Sequence, residues 1–460
     1  MGNAVAYAAL FAWPLVALVL FAKLPVHKAA IWTILGGYLF LPERTNIDLP
    51  LLPAFDKTFI PSAAALLLSL PVIRRNGGIL SLLPKARVPR ILVILYLLGP
   101  FATVLTNQDP DFVGVKFLPG HTLYDAFSFG LTRAVLIVPY LLAQRVMAGE
   151  TQLRDLLEAI AIAGLAYSLP ALFEVRMSPQ LHTWIYGFFP HSFGQQVRFG
   201  GFRPVVFLGH SLKVGLFLAM TVVAAAALWR LRRHAVWASA LVWLVVTLIL
   251  AKTVGAIALA VLILPFALAP GLTPRRSLFL AAAVMVLLYP VLRGADLIPT
   301  GRIESLAAGI SPARAQSVGF RFDNEDRLLA RANERPLFGW GGWGRNRIYD
   351  PDTGHDISTT DGRWVIVTGS YGWLGYITEF GLLTWPLLLF GRRRPGAYAP
   401  AAGALGLVLT LNLLDLLPNA GLSPLTWILA GALTGHLARQ PVRSALRPAG
   451  ASPSHPEPAR

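Results

Sequence analysis

Most of the side chains that could do chemistry lie in one polar segment, residues 293–370, of an otherwise apolar chain. This segment holds ten arginines and ten carboxylates, so it is nearly neutral, whereas the whole chain carries a net charge of +17. Arginine forks and indole faces suit a substrate that is polar, ring-shaped and anionic. The residues that offer them here are Trp340, Trp343, Trp364, Arg321 and Arg345.

One part of this segment, residues 324–334, has the spacing of an amphipathic helix, with Leu328, Leu329 and Ala332 on one face. The pattern predicts a helix that lies against the membrane or the helix bundle. The run Pro-Leu-Phe-Gly-Trp-Gly-Gly-Trp-Gly follows at residues 336–344. Because glycine has no side chain, we expect a compact turn at which backbone and indole faces approach a sugar ring closely.

The acidic residues after this turn have a spacing that resembles part of a calcium loop. Asp350, Asp352 and Asp356 lie close to His355 in the sequence, but the remainder of an EF-hand loop is missing. We therefore predict no metal ion and no other cofactor. Solvated loop charges are the alternative interpretation of the whole polar segment.

A second group of polar residues precedes the long apolar run that starts at residue 204. It contains His191, Arg198, Arg203 and His210, near the sequence Gly-Gly-Phe-Arg-Pro. The planar arginine fork binds two oxygens at once and stays charged, which suits a diphosphate. Ordinary interface arginines, and a His210 that packs between helices with a satisfied hydrogen bond, are the alternatives.

Three cations, Arg133, Lys213 and Lys252, lie within or at the ends of apolar runs. A charge at membrane depth costs at least about 2.5 kcal/mol, so it usually faces a cavity or a partner. Lys252 is the most informative because it stands at the break between two apolar runs. Alternatively, Lys252 ends a helix and snorkels to the interface, and Arg133 pairs with an acid such as Asp125.

The composition is that of an integral membrane protein. Hydrophobic residues make up 55% and charged residues 14% of the 460 positions, and the mean hydropathy is +0.58. These values lie outside the range of soluble proteins. The chain has no cysteine, which excludes disulfides, thiolate metal sites and cysteine nucleophiles.

The apolar runs predict an all-α polytopic membrane protein with about 12–13 transmembrane helices and one large extracytoplasmic loop. We expect ten helices within residues 1–292, the loop at 293–370, three helices within 371–438 and a disordered tail at 439–460. The second run is short and could be interfacial, which would leave twelve. The thirteen runs are 4–22, 29–41, 59–73, 90–106, 123–143, 156–173, 204–229, 235–251, 254–269, 277–292, 371–390, 397–417 and 423–437.

Lysines and arginines are unevenly distributed between the two sets of alternate loops. One set, together with the tail, collects twenty-one of them, whereas the short loops of the other set hold six. The positive-inside rule therefore predicts that residues 293–370 lie outside the cytoplasm and the C-terminus inside. This distribution accounts for the net positive charge of the chain, so nucleic-acid binding is not needed to explain it.

Several of these motifs together resemble the O-antigen ligase and O-antigen polymerase-like membrane protein superfamily. They are Phe-Arg-Pro…Gly-His-Ser at 202–211, the cation at a span break, Pro-Leu-Phe-Gly-Trp-Gly at 336–341 and Gly-Tyr-Ile-Thr-Glu-Phe-Gly-Leu-Leu at 375–383. The likeness covers most of the chain from about residue 156. It implies a helical fold like that of type-C glycosyltransferases. It also implies metal-independent transfer of undecaprenyl-diphosphate-linked glycans at the outer face of the bacterial inner membrane.

The resemblance also implies roles for single residues. The donor diphosphate would be held by Arg203, Arg198, Lys252 and His210. Independently of the resemblance, the residue types of the loop make Trp340, Trp343, Trp364, Arg321 and Arg345 the expected glycan ligands. Ligases of the superfamily typically have a His-Asn pair where this chain has Ser370-Tyr371, so the chain resembles a divergent member. The general base therefore stays open between Asp361, His355 and Glu379.

The missing histidine favours a polymerase of O-antigen or exopolysaccharide units, or a divergent branch, over a ligase that acts on a lipid acceptor. The partners implied are the undecaprenyl-diphosphate-linked glycan, an acceptor glycan or lipid, the bilayer and other polysaccharide-assembly proteins. A transporter of a polar or lipid-linked solute is the competing class, and a non-catalytic subunit of an assembly complex is a third. A cavity roofed by the large loop would favour glycosyl transfer over transport.

Overall fold

The computed structural model describes residues 2–48, 53–75, 77–269, 273–310, 312–393 and 398–439. The predicted disordered tail lies, apart from Arg439, outside the described residues. The described chain is helical apart from two short hairpins, β1 (Asp111–Val113) with β2 (Lys116–Leu118) and β3 (Val197–Arg198) with β4 (Gly201–Phe202). The helices are α1 (Ala4–Lys23), α2 (Val26–Phe40), α3 (Phe59–Arg75), α4 (Arg87–Leu105), α5 (Leu123–Val146), α6 (Glu150–Met177), α7 (Leu181–Tyr186), α8 (Ser211–Arg232), α9 (Ala235–Leu250), α10 (Val254–Leu268), α11 (Thr273–Gly294), α12 (Thr300–Ile310), α13 (Pro312–Asn333), α14 (Arg363–Arg392), α15 (Pro400–Asp415) and α16 (Pro424–Arg439).

Seven of these helices are long and apolar enough to cross a membrane: α1, α4, α5, α6, α8, α11 and α14. Three shorter apolar helices accompany them, namely α9, α10 and α15. Each of the thirteen apolar runs in the sequence overlaps one helix of the bundle. The chain is an all-α, multi-pass membrane protein, and the predicted fold class is confirmed at that level.

Helix α8 is the centre of the bundle, and 89% of its apolar stretch is buried. It packs against α6, α9, α10 and α15. Small residues permit this close packing, since helices without large side chains can approach each other in a membrane. At Gly164 of α6, an added Cβ atom would come within 2.5 Å of Thr221 of α8. By contrast, only 17% of the apolar stretch of α1 is buried.

Contacts between the loops divide the bundle into two ends. At one end, called the basic end here, Asp155 pairs with His27 at 2.8 Å and with Lys28 at 3.2 Å, and Arg439 donates to the carbonyl of Arg145. The other end, called the loop end, carries residues 295–362 and the connections that pack beneath them. Loops that were predicted to lie on the same side meet at the same end.

The large loop contains two helices of its own, α12 and α13. The predicted amphipathic helix forms the second half of α13, and its apolar face is buried through Leu328, Leu329 and Ala332, each less than a tenth exposed. At the base of the loop, Arg293 pairs with Asp326 at 2.8 Å. The loop is therefore packed on the bundle.

Helix α14 begins at Arg363 and not near residue 371 as predicted, and it is broken at Gly372, where φ is +63° and ψ is −162°. The loop segment 336–341 fills the break. The carbonyls of Pro336 and Leu337 accept from the N–H groups of residues 373 and 374, and the N–H groups of residues 340 and 341 donate to the carbonyls of residues 369 and 370. These four bonds satisfy backbone groups that the break leaves without a helical partner.

Candidate functional site

The start of α8 carries a cluster of basic side chains at the loop end. His210 caps this helix, and its Nδ1 accepts a hydrogen bond from the N–H of Leu212 at 3.0 Å. The His210 ring lies 4.5 Å from the ring of His191, and its Nε2 is 3.4 Å from Oε1 of Gln195. Arg203 donates to the backbone carbonyl of the same glutamine. Two predicted diphosphate ligands, Arg203 and His210, thus lie in one cluster.

Positive charge dominates the surroundings of the two histidines. Burial lowers the pKa of His210 to about 3. This value includes smaller contributions in the same direction from four basic neighbours, His191, Arg203, Lys213 and Arg321. Burial also lowers the pKa of His191, with a smaller effect from Arg44. Both imidazoles are therefore neutral near pH 7, and the fixed positive charge comes from the arginines and lysine around them.

A carboxylate that the sequence analysis did not single out holds two lysines in this region. Glu43 lies in the loop after α2, and its oxygens are 2.9 Å from Nζ of Lys57 and 2.8 Å from Nζ of Lys213. Burial opposes ionisation of Glu43, but the two lysines outweigh burial and lower its pKa to about 2. Lys57 also donates to the carbonyl of Phe207 at 2.8 Å. One carboxylate shared by two lysines leaves one positive charge uncompensated.

These groups line a cavity of about 230 Å³ at the loop end. The loop between α2 and α3 and the start of α16 form its wall, and its charged lining residues are Glu43, Arg44, Asp56, Lys57 and Lys213. Three cations against two carboxylates give the lining a net positive charge. Such a lining suits the oxyanion group of a ligand. A cavity of about 300 Å³ lies at the basic end beside His27, Arg145 and Arg439, on the opposite side of the bundle from these groups.

Asp361 and Arg321 reach the same cluster from the large loop. Nε of Arg321, in α13, is 3.3 Å from Oδ2 of Asp361, and each side chain is one third exposed. Arg321 is also close enough to His210 and to Asp415 to interact with both electrostatically. Burial raises the pKa of Asp361, and Arg321 partly offsets that effect. A predicted base and a predicted glycan ligand thus stand beside the predicted diphosphate ligands.

Arg198 lies in the hairpin that leads to Arg203, and Lys252 reaches the turn of this hairpin from another part of the chain. Lys252 connects α9 to α10 with φ +55°, and its Nζ is 3.5 Å from the carbonyl of Phe199 in the hairpin turn. Arg198 is in β3, is exposed, and donates to the carbonyl of Val197 at 3.0 Å. Arg203 directly follows β4, which pairs with β3. The hairpin therefore groups three of the four predicted diphosphate ligands.

The tryptophan surface differs from the prediction. Trp364 is fully buried and packs edge to face on Tyr289 of α11 at 5.2 Å. Trp340 is 5% exposed because Arg331 stacks on its ring at 3.4 Å and the glycines around it bring the backbone close. Of the three predicted tryptophans, Trp343 alone is exposed, with 63% of its surface free. Neither Trp340 nor Trp364 can present a ring face to a sugar in this conformation.

The glycines of residues 336–344 pack against other parts of the protein and do not form an open surface. An added Cβ atom on Gly339, where φ is +70°, would lie 2.5 Å from the N atom of Tyr371. An added Cβ atom on Gly341, where φ is +81°, would lie 2.1 Å from Nε2 of His121. These glycines are required because the run is inserted against α14 and against the start of α5.

Arg345, predicted to bind glycan, has a structural role in this conformation. It is fully buried, and its guanidinium donates to the carbonyls of Asp109, Leu118 and Pro119 at 2.7–3.3 Å. These bonds hold the connection between α4 and α5, which contains the β1–β2 hairpin. Long polar side chains are buried when every donor finds such an acceptor nearby, and Arg345 comes close to that condition.

His355, predicted as a possible base, lies away from the basic cluster. It belongs to an exposed turn in which Tyr349 pairs with Asp356, and this turn packs on the β1–β2 hairpin through a hydrogen bond between Val115 and Pro351. Asp350 and Asp356 accept hydrogen bonds from residues of the turn itself. Over the ranges that the structure describes, no three His, Cys, Asp or Glu side chains are arranged for a metal ion.

Glu379, the third predicted base, is fully buried in an ion pair that the sequence analysis did not predict. Nε and Nη2 of Arg363 lie 2.7 Å and 2.9 Å from its two oxygens. These residues are sixteen positions apart, and they meet across the kink in α14 at Gly372. Because Glu379 is fully buried and each of its oxygens accepts from Arg363, a substrate hydroxyl has no access to this carboxylate in this conformation.

Arg133 lies beside this ion pair, clamped between two aromatic rings. It is 3% exposed, and its guanidinium is 4.3 Å from the ring centre of Tyr96 and 3.7 Å from that of Tyr371. Its Nε and Nη2 have no hydrogen-bond partner among the described residues. The suggested pairing with Asp125 does not form, because that carboxylate caps α5 and accepts from Nε1 of Trp343 at 2.8 Å.

Comparison of the sequence with protein-family models, with curated proteins and with solved structures found no match. Two features of the described structure stand out: the basic cluster around His210 at the loop end, and the buried Arg133 between two aromatic rings in α5.

Proposed function

We propose that this protein joins glycan repeat units carried on undecaprenyl diphosphate, as an O-antigen or exopolysaccharide polymerase does. One observation carries the proposal: Arg203, His210, Lys213, Arg321 and Asp361 converge at the loop end beside a cavity with a cationic lining. A diphosphate needs converging cations, and glycosyl transfer needs a carboxylate close to them. A fold like that of type-C glycosyltransferases, as the resemblance implies, belongs to the same proposal.

The distribution of basic residues supports an orientation in which the loop end faces away from the cytoplasm; the bacterial inner membrane is the location that the resemblance implies. The twenty-one cations of the more basic loops and tail would lie in the cytoplasm under the positive-inside rule. The loop end would then face the periplasm. Lipid-linked glycans that have been moved across the membrane are exposed on that side.

In the proposed reaction, the hydroxyl oxygen of an acceptor sugar attacks the anomeric carbon of the donor sugar. The bond between that carbon and the phosphate oxygen breaks, and undecaprenyl diphosphate leaves with the electron pair. Arg203, Lys213 and Arg321 would stabilise the negative charge that develops on the leaving group. Asp361 would accept the hydroxyl proton, and burial favours this role because it raises the pKa of the carboxylate.

A reconstituted reaction tests the proposal directly. Purified protein in nanodiscs would be mixed with undecaprenyl-diphosphate-linked repeat units, and the products would be separated by length. We expect longer glycans and free undecaprenyl diphosphate from the wild type. Arg203→Ala and Asp361→Asn should each reduce the rate at least about a hundredfold. The control is Arg347→Ala, which removes an exposed arginine paired with Asp356 and should leave the rate unchanged.

Deletion of the gene separates the candidate functions in cells. Single repeat units that accumulate in place of a ladder of lengths would support the polymerase. Full-length chains left on undecaprenyl diphosphate, with an unmodified lipid acceptor, would replace it with the ligase alternative. An unchanged profile of both would refute glycosyl transfer and leave transport of a polar or lipid-linked solute as the better explanation.

A further inference from the structure

Arg133 is a buried cation that forms no ion pair with any carboxylate of the described residues. It lies eleven residues into α5, which is long and apolar enough to cross a membrane. The nearest buried ion pair, Arg363 with Glu379, uses both oxygens of its carboxylate internally. The cluster therefore carries one excess positive charge. A charge at this depth is expensive, and an anionic partner from outside the protein would offset that cost.

The surroundings of Arg133 hold it in a fixed orientation. The rings of Tyr96 and Tyr371 lie on the guanidinium from two helices, α4 and α14. Such stacking fixes the plane of the guanidinium, and Nε and Nη2 on its buried edge have no hydrogen-bond partner among the described residues. Gly375 of α14 lies against that edge, since an added Cβ atom there would be 3.5 Å from Nη2 and 2.3 Å from Cβ of Tyr371. Tyr96 Oη also lacks a partner among the residues described.

A path of aromatic contacts leads from the exposed Trp343 to Arg133. Asp125, Phe129 and Arg133 recur every four residues, so they follow one face of α5 and span about 12 Å. The Trp343 ring lies 5.8 Å from the ring of Phe129. The ring of Phe129 lies 6.5 Å from that of Tyr371. An exposed indole therefore marks one end of this path, and an unpaired arginine the other.

We propose that this face of α5 binds the acceptor glycan, with a sugar ring on Trp343 and an oxyanion of the saccharide, carboxylate or phosphate, on Arg133. The inference deepens the proposed function, because it adds an acceptor site separate from the basic cluster around His210. It also commits to a substrate class, an acidic saccharide. A neutral saccharide would leave the charge of Arg133 uncompensated.

Binding measurements without any donor test the acceptor site independently of the reaction. The probes are a tetrasaccharide of alternating glucuronic acid and N-acetylglucosamine, a monophosphorylated N-acetylglucosamine tetramer and the neutral N-acetylglucosamine tetramer. Calorimetry would use the full chain in nanodiscs of phosphatidylcholine. We expect at least one acidic probe to bind more tightly than the neutral one. Arg133→Gln should weaken acidic binding about ten- to a hundredfold and leave neutral binding unchanged, whereas Trp343→Ala should weaken both.

Further variants and lipids keep the test decisive. If Arg133→Gln does not fold, Arg133→Lys replaces it, and we expect acidic binding about tenfold weaker because the planar fork is lost. Equal affinity for acidic and neutral probes, or an unchanged affinity in the Arg133 variants, would overturn the inference. Native mass spectrometry tests whether the anion is a lipid headgroup instead. Phosphatidylglycerol that the wild type retains and Arg133→Gln loses, together with unchanged saccharide binding, would also overturn the inference.

The two proposals can fail separately. If glycan transfer depends on Arg203 but acidic saccharides do not need Arg133 to bind, the proposed function stands and the acceptor site is excluded. If acidic saccharides bind in a way that depends on Arg133 but the wild type transfers no glycan, the saccharide site stands and the polymerase activity is excluded.

Discussion

Replacing Glu379 with glutamine should destabilise the fold more than any change of a surface charge. The substitution keeps one oxygen acceptor for Arg363 but removes the negative charge and one of two charged hydrogen bonds. Loss of one partner of a buried pair costs about 3–5 kcal/mol. Because a fifth of the Arg363 side chain is exposed, we expect the lower end, about 3 kcal/mol, or roughly a hundredfold in the unfolding equilibrium.

The measurement is unfolding by sodium dodecyl sulfate in mixed micelles, followed by circular dichroism. The matched control is Glu150→Gln, which removes an exposed partner of Arg154 at 3.6 Å and should cost less than about 1 kcal/mol. The double variant Arg363→Met with Glu379→Leu should recover most of the loss, since it removes both charges of the pair and strands neither of them. A Glu379→Gln protein within about 1 kcal/mol of the wild type would refute the reasoning.

Three further predictions concern stability. Gly372→Ala should lower the melting temperature strongly, because φ is +63° and an added Cβ atom would lie 2.4 Å from the loop backbone, whereas Gly194→Ala meets no atom within 4 Å and should be nearly neutral. The folded pKa of His210, about 3, lies below its ordinary value of 6.5, so the stability it contributes is complete above pH 6.5 and is lost as the pH falls toward 3. Melting at pH 7 and pH 5 should therefore show a smaller loss on acidification for His210→Gln than for the wild type, and an equal loss would exclude this role. Trp364→Ala should cost about 3–5 kcal/mol on unfolding because the ring is fully buried, while Trp343→Ala should cost less than about 1 kcal/mol, and a reversed order would contradict the assigned burial.

The bundle could be predicted from the sequence because each helix carries its own signal. All thirteen apolar runs overlap helices, and the apolar face of α13 was evident from the spacing of Leu328, Leu329 and Ala332. Arg203 and His210 could be grouped because they are seven residues apart on either side of a turn. Local patterns of this kind need no knowledge of distant contacts.

The contacts within the site and the break in α14 could not be predicted, because they depend on pairs of residues that are far apart in the chain. Nothing near Glu43 indicates that Lys213, 170 residues later, will bond to it. The break at Gly372 was missed because it is stabilised by residues 336–341, and the apolar run after it reads as one uninterrupted helix. The burial of Trp364 was missed for a related reason: a tryptophan next to charged residues reads as exposed until the helix that covers it is known.

The hydrogen bonds between residues 336–341 and the break in α14 also determine how this protein can be recombined. If the large loop were exchanged for a segment of another protein, boundaries drawn at the ends of α13 and α14 would remove this stretch together with the loop. The incoming segment must then supply two carbonyls and two N–H groups in the same register. A replacement loop whose backbone does not present these groups in that register would leave four backbone groups of α14 without a hydrogen-bond partner. A chimera should therefore retain residues 336–341 of this chain and exchange only the parts of the loop on either side.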